Sequence, residues 1–278
     1  MRSAPTRRTF LAGLCGLALP ARLRAQERRV IARAPHQSWL GRRTVSFLCI
    51  EGAGSVAHIL EGSDLGARHR PYGTFDIANA LIALDLGVES GAQGAREWDR
   101  FRRPSAPHWP GIWRRDHTLA SAFAASVPWY FQDMAVEVGD AYAAYLRRWG
   151  YGTAQGQGDA FWMDGTLEVS VTEQVGFLAA LGAGALDVST DASETVIAIA
   201  QDGSIAGVDV HGVSGAGPVY GRGFGGPYGG WYVGWMQPPG RAQMTFALYV
   251  EAMTYREIDG YGRAMSERLL APIVSNTL

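Results

Sequence analysis

Apolar, β-rich runs lie at both ends of this chain, with helix-period patterns between them, and this order constrains the fold more than any other feature. Thr44–Ile50 and Ser55–Leu60 are predicted strands joined by the Gly52-Ala53-Gly54 turn, and Trp231–Met236 and Gln243–Glu251 are predicted strands near the other end. Asp76–Gly87 is a predicted helix, because Ile77, Ala80, Leu81 and Leu84 share one face and Gly87 ends it. Thr118–Gly139 is helical in pattern but contains Pro128, which predicts two helices meeting near Ser126–Pro128. Asp140–Trp149 is a further short helix, and Ser170-Val-Thr-Glu173 is a capping box opening a helix through Leu181. A terminal amphipathic helix runs from Tyr261 to Pro272. Gln26–Arg43 reads as a polar lead-in, Glu89–Arg115 as a polar connection and Thr195–Ala200 as a strand. The expected fold class is therefore α+β: an antiparallel sheet built from both chain ends, flanked by helices, with a central helical lobe.

Residues 1–25 stand apart from this pattern. Thr6-Arg7-Arg8-Thr9-Phe10-Leu11 is a twin-arginine motif, followed by an apolar stretch from Leu11 to Leu19 that is too short to span a bilayer. Cleavage after Ala25 is expected, giving an exported protein, periplasmic or secreted, whose residues 26–278 form one domain without a membrane span. Leu14 before Cys15 is a poor lipobox residue, which argues against a lipid anchor. Loss of the signal leaves Cys49 as the sole cysteine, so no disulfide can form within the chain, and its apolar surroundings mark it as a core residue.

Charge and residue usage exclude several kinds of chemistry. All 25 basic residues are arginine. Without lysine the chain has no amine for a Schiff base, a carbamate or a lysine general base. Removing the five arginines of the signal leaves 20 against 26 acidic residues, a net charge of −6. That balance gives no electrostatic footprint for nucleic acid. The six histidines show no metal-ligand spacing, so no metal is expected. Gly221-Arg-Gly223-Phe-Gly225-Gly226 fits G-x-G-x-x-G, but it leads into a predicted strand, where a dinucleotide site needs a helix. No cofactor is expected.

Arg70-Pro-Tyr-Gly-Thr-Phe-Asp-Ile-Ala-Asn-Ala-Leu-Ile-Ala-Leu-Asp-Leu-Gly87 resembles the first active-site motif of class D β-lactamases, Ser-Thr-Phe-Lys followed by an apolar helix. The resemblance continues in order through Trp98-Asp99, Arg115-Asp116-His117-Thr118-Leu119 and Ser126-Val-Pro-Trp-Tyr-Phe-Gln132. It extends through Tyr151-Gly-Thr153, Phe161-Trp162, Ser170-Val-Thr-Glu-Gln-Val-Gly-Phe-Leu178 and Tyr220-Gly-Arg-Gly-Phe-Gly-Gly226. It implies the β-lactamase/transpeptidase-like fold shared with penicillin-binding proteins. It also implies a mechanism in which a serine at a helix N-terminus attacks the lactam carbonyl. A carbamylated lysine one turn later is the base, backbone amides hold the oxyanion and a second serine relays protons. A Lys-Thr-Gly strand and a distant arginine recognise the substrate carboxylate.

This sequence departs from the family at the two positions that do the chemistry. Gly73 stands in place of the nucleophile, and Asp76 in place of the lysine. Ser126 matches the relay serine, with Pro128 in the third place of that motif, and Thr153 replaces an asparagine. Trp162 matches the tryptophan that contacts the carbamate. Arg222 is read at the lysine of the Lys-Thr-Gly motif, with Gly223 and Phe224 for Thr-Gly. Arg263 matches the carboxylate-binding arginine, with Arg256 as the competing candidate.

Serine-lactamase turnover is therefore not expected. Ser126, Trp162, Arg222, Gly223, Phe224 and Arg263 are the candidate ligand-binding set, for a β-lactam-like or peptidoglycan-like carboxylate. A pairing of Asp76 with Arg222 across the cleft is a further expectation. The alternatives are a decayed copy, a hydrolase using Ser126 or Asp76, and a protein-interaction module built on the aromatic segment Phe224–Trp235.

Overall fold

The computed structural model describes residues 27–221 and 225–276. The segment 1–25, read from the sequence as an export signal, and Arg222, Gly223 and Phe224 lie outside the described residues. The core is a seven-stranded sheet made from β1 (Glu27–Ile31), β2 (Thr44–Glu51) and β3 (Val56–Leu60) at one end of the chain. The other end supplies β4 (Gln201–Ile205), β5 (Val208–Pro218), β6 (Tyr228–Met236) and β7 (Met244–Ala252). The order across the sheet is β1-β3-β2-β7-β6-β5-β4. The two chain ends meet where β2 pairs antiparallel with β7, Phe47 opposite Leu248 and Cys49 opposite Phe246. Pairing is antiparallel throughout except at one edge, where β1 runs parallel to β3.

Both faces of the sheet are covered, which explains why its central strands read as unbroken apolar runs. Every residue of β6 is buried. Alternate side chains go to opposite layers: Trp231, Val233 and Trp235 to the helical lobe, Tyr228, Tyr232 and Met236 to the other side. On that second side lies the last helix, α7 (Tyr261–Val274), which buries Tyr261, Met265, Leu269 and Ile273 at the spacing of one helical face. Cys49 is a core residue here, and burial pushes its thiol far above the ordinary range.

The lobe on the first side is built around α1 (Asp76–Asp85), whose residues from Asp76 to Ala83 are all buried. A helix enclosed all round needs no polar stripe. Around it stand α2 (Leu119–Ala125), α3 (Pro128–Val138), α4 (Ala141–Trp149), α5 (Val171–Gly182) and α6 (Thr190–Ile199). The expected break falls between α2 and α3, where Pro128 occupies the first turn of the new helix and Val127 before it is extended. The capping box at Ser170 forms as the sequence predicts, with Glu173 returning a bond to the Ser170 backbone N–H. No helix among the described residues is long and apolar enough to cross a membrane.

Three local expectations are corrected. Glu27–Ile31 is an edge strand, and only Ile31 is buried, so burial left no apolar alternation in its sequence. Thr195–Ala200 is mostly the end of α6: Ser189 caps the helix, and Ala192, Val196 and Ala200 are buried at intervals of one turn. No strand is predicted in the Gly-rich stretch before Tyr220, which is the long strand β5: the Tyr232 and Tyr72 side chains fill the space at Gly212 and Gly217, and the backbone of the turn at Gly73 fills it at Gly215.

Candidate active site

A cleft of about 300 Å³ opens between β5, the turn that leads into α1, and the α2–α3 junction. Gly73, Asp76, Ser126, Trp162 and Arg263 all line it, so the structure brings five of the predicted positions to one place. Its strand wall is Ser214-Gly215-Ala216, which sequence reasoning missed. A Cβ on Gly215 would lie 2.7 Å from the backbone nitrogens of Gly73 and Thr74 and 2.8 Å from the carbonyl oxygen of Pro71. Glycine there lets the strand run directly against the turn. The resemblance places the Lys-Thr-Gly motif on Arg222-Gly223-Phe224, which lie outside the described residues; the strand segment seen to face Gly73 is Ser214-Gly215. The tight Gly215 approach is the physical signal for it.

Gly73 lies in the tight helical turn Tyr72–Phe75. A Cβ at Gly73 would overlap the Ser126 hydroxyl oxygen and come within 2.9 Å of the Ser214 carbonyl oxygen. Gly73 is not among the glycines with positive φ, so space rather than backbone conformation sets the requirement there. Tyr72 before it has a left-handed φ of 49°, a costly conformation for an aromatic residue. Tyr72 is held there as its hydroxyl donates to the Pro218 carbonyl at 2.9 Å.

Ser126 is the C-terminal cap of α2 and also left-handed, at φ 45°. Pro128 keeps Val127 extended, so the chain turns sharply and aims the serine inward. Its hydroxyl donates to Asp76 Oδ2 at 2.8 Å. Asp76 is the first residue of α1 and is 2 % exposed. No cation pairs with it among the described residues. Burial pushes its carboxyl well above the usual carboxylate range, and the bond from Ser126 opposes this only in part. The expected pairing with Arg222 involves a residue outside the described ones.

Thr74 is buried and turned from the cleft, donating to the Pro71 carbonyl at 2.7 Å and accepting from Gln174 at 2.8 Å. Trp162 is buried and stacks on Phe75, with ring centroids 5.5 Å apart. Thr153 donates to the Thr166 carbonyl and is spent on its own loop. Arg263 reaches the cleft edge from the first turn of α7, but its guanidinium is paired with the Asp202 carboxylate and donates to the Asp202 carbonyl at 2.6 Å. A ligand carboxylate at Arg263 must compete with Asp202. Arg256 is exposed and does not line the cleft. Arg70, to which the sequence gave no role, donates to the carbonyls of Met163, Pro218 and Gly221, and so ties the Trp162 turn to the end of β5. The segment Phe224–Trp235, expected as a possible interaction surface, includes most of buried β6, which leaves little of it accessible to a partner.

The penicillin-binding protein transpeptidase domain family matches residues 67–275. The chain belongs to this family. Among curated proteins it is similar to "Beta-lactamase OXA-48" of Klebsiella pneumoniae, 39 % identical over 122 residues, covering 43 % of this chain and 44 % of that protein. The matched stretch thus spans less than half the length of that relative. Among solved structures it is similar to the class D β-lactamase from Sebaldella termitidis, with a TM-score of 0.77 at 20 % identity, covering 92 % of this chain and all of that one. It is similar also to the C-terminal domain of the Bacillus licheniformis BlaR penicillin-receptor, with a TM-score of 0.75 at 20 % identity, covering 90 % and 96 %. At these identities the structural likeness speaks for the fold. The recognition and fold class read from the sequence agree with these findings. In this chain the cleft has no side chain at position 73 and a buried carboxyl group at position 76.

Proposed function

We propose that this protein is an exported, penicillin-recognising member of the family that binds a β-lactam-like or peptidoglycan-like carboxylate without sustained hydrolysis. The observation that carries this reading is the Gly73 position: the space of a nucleophile's Cβ is taken by the Ser126 hydroxyl, while the cleft in front of it stays open. Removing a nucleophile and its base together abolishes most of the rate of such a site, since the groups act as a unit. Binding walls remain in Ser214–Ala216, Trp162 and Arg263. The twin-arginine motif supports export to the periplasm or exterior.

The test pairs two assays on purified mature protein. Benzylpenicillin is expected to raise the melting temperature, and Arg263→Ala to reduce that rise. A chromogenic cephalosporin is expected to show no sustained hydrolysis. No melting shift with any penicillin or cephalosporin would remove the binding half of the reading, and continuous turnover would remove the other half.

A further inference from the structure

Ser126 and Asp76 form a hydroxyl–carboxylate pair on the floor of the cleft that the Ser–Lys mechanism does not account for. Among the described residues lining the cleft, Ser126 alone has its hydroxyl on a carboxylate, at 2.8 Å. Ser126 is half-buried and faces the cleft, whereas Asp76 behind it is sealed from solvent. Of the other hydroxyls nearby, Tyr72 donates to the Pro218 carbonyl and Thr74 to the Pro71 carbonyl, while Ser214 is exposed on the strand wall. The Ser126 oxygen overlaps the space that a Cβ at position 73 would fill, so it projects into the part of the cleft that Gly73 vacates.

We infer that Ser126 is the acyl acceptor of this cleft, with Asp76 as its general base, for ligands carrying a strained cyclic amide. This rests on the reading that the cleft binds β-lactam-like compounds. The Ser126 Oγ–C bond forms at the lactam carbonyl as the ring C–N bond breaks. The hydroxyl proton passes to Asp76 Oδ2 and from there to the departing ring nitrogen, so nothing is lost from the ligand and no other reactant is needed. Two features suit Asp76 to the task. It sits in the first turn of α1, where the helix dipole favours its ionised form. Burial works the other way and makes the carboxylate more basic than an ordinary aspartate, so it accepts a proton more readily. The strained backbone at Ser126 fixes the direction of the hydroxyl.

The experiment incubates the mature protein with benzylpenicillin and reads two signals: intact mass under denaturing conditions for a covalent adduct, and native melting temperature for binding. The expected result is a mass increase of one whole penicillin, mapped by fragmentation to the peptide containing Ser126. Ser126→Ala should carry no adduct, and Asp76→Asn should form it about 10²-fold or more slowly. Should Ser126→Ala fail to fold, the mapped site in the native sequence and the Asp76→Asn rate carry the test. A melting shift with no adduct overturns the inference and leaves the binding reading intact. An adduct on any other residue also overturns it. Neither signal removes both readings.

Discussion

At the scale of single residues, the site is governed by one atom's worth of space. The Ser126 hydroxyl occupies the position a side chain at 73 would need. Gly73→Ala is expected to destabilise the fold by about 1–3 kcal/mol, as overpacking does, because the serine must leave its bond to Asp76. In a Ser126→Ala background the same substitution should cost less, and a double-mutant cycle in urea unfolding measures the difference. Asp76 provides a second prediction. Its carboxyl is raised in the folded protein, so folding favours its protonated form. The stability this contributes is fully present below the ordinary aspartate range and is lost as pH rises through the raised folded value. Asp76→Asn, which still accepts a bond from Ser126, should therefore be more stable than the native sequence at neutral and alkaline pH. The gap should close as pH falls toward 4, the ordinary range for aspartate. A gap that widens toward acid would contradict this account. Asp76 was legible in the sequence through the Gly-Thr-Phe-Asp pattern, and Ser126 through the Ser-Val-Pro motif. Their contact was not, because Ser126 and Asp76 lie fifty positions apart, and the pairing expected for Asp76 was with Arg222.

At the scale of elements, the site depends on how three segments are brought together. The sequence showed the α2–α3 break through Pro128, and α5 through its capping box. It did not show β5, because glycine is depleted in strands and gives no apolar alternation to read. Glycine in a strand marks close approach, and the neighbour that approaches Gly215, the turn at Gly73, is far away in the chain. Gly215→Val should therefore disrupt both fold and cleft, since its Cβ alone would lie 2.7 Å from two backbone nitrogens. The expected loss is about 3 kcal/mol or more, read as a lower unfolding midpoint. By contrast, Ser170→Ala, which removes the cap of α5 some distance from the cleft chemistry, should cost about 1 kcal/mol. Arg263 shows the limit of motif reading at this scale. Its place at the start of α7 was legible, but its partner Asp202 belongs to edge strand β4, which the sequence did not reveal.

At the scale of the whole molecule, the order of elements was the most readable feature. Strand-rich ends joined into one sheet and a helical middle packed on it, because β2 and β7 pair across nearly the full chain length. The parallel edge strand β1 escaped notice, since an exposed edge carries little hydrophobic pattern. The chain shares the family's framework, and since a fold does not dictate a chemistry, what this cleft does depends on its own residues, Gly73, Asp76 and Ser126 among them. If the cleft still binds, a ligand at a hundredfold excess over its Kd adds about 2.7 kcal/mol of stability, which a melting curve resolves. The central claim is that the cleft recognises β-lactams without turning them over. Following a chromogenic cephalosporin to completion with a known amount of mature protein tests it most directly. The account predicts at most one equivalent of opened ring per molecule of protein; continuous hydrolysis over many equivalents would contradict it.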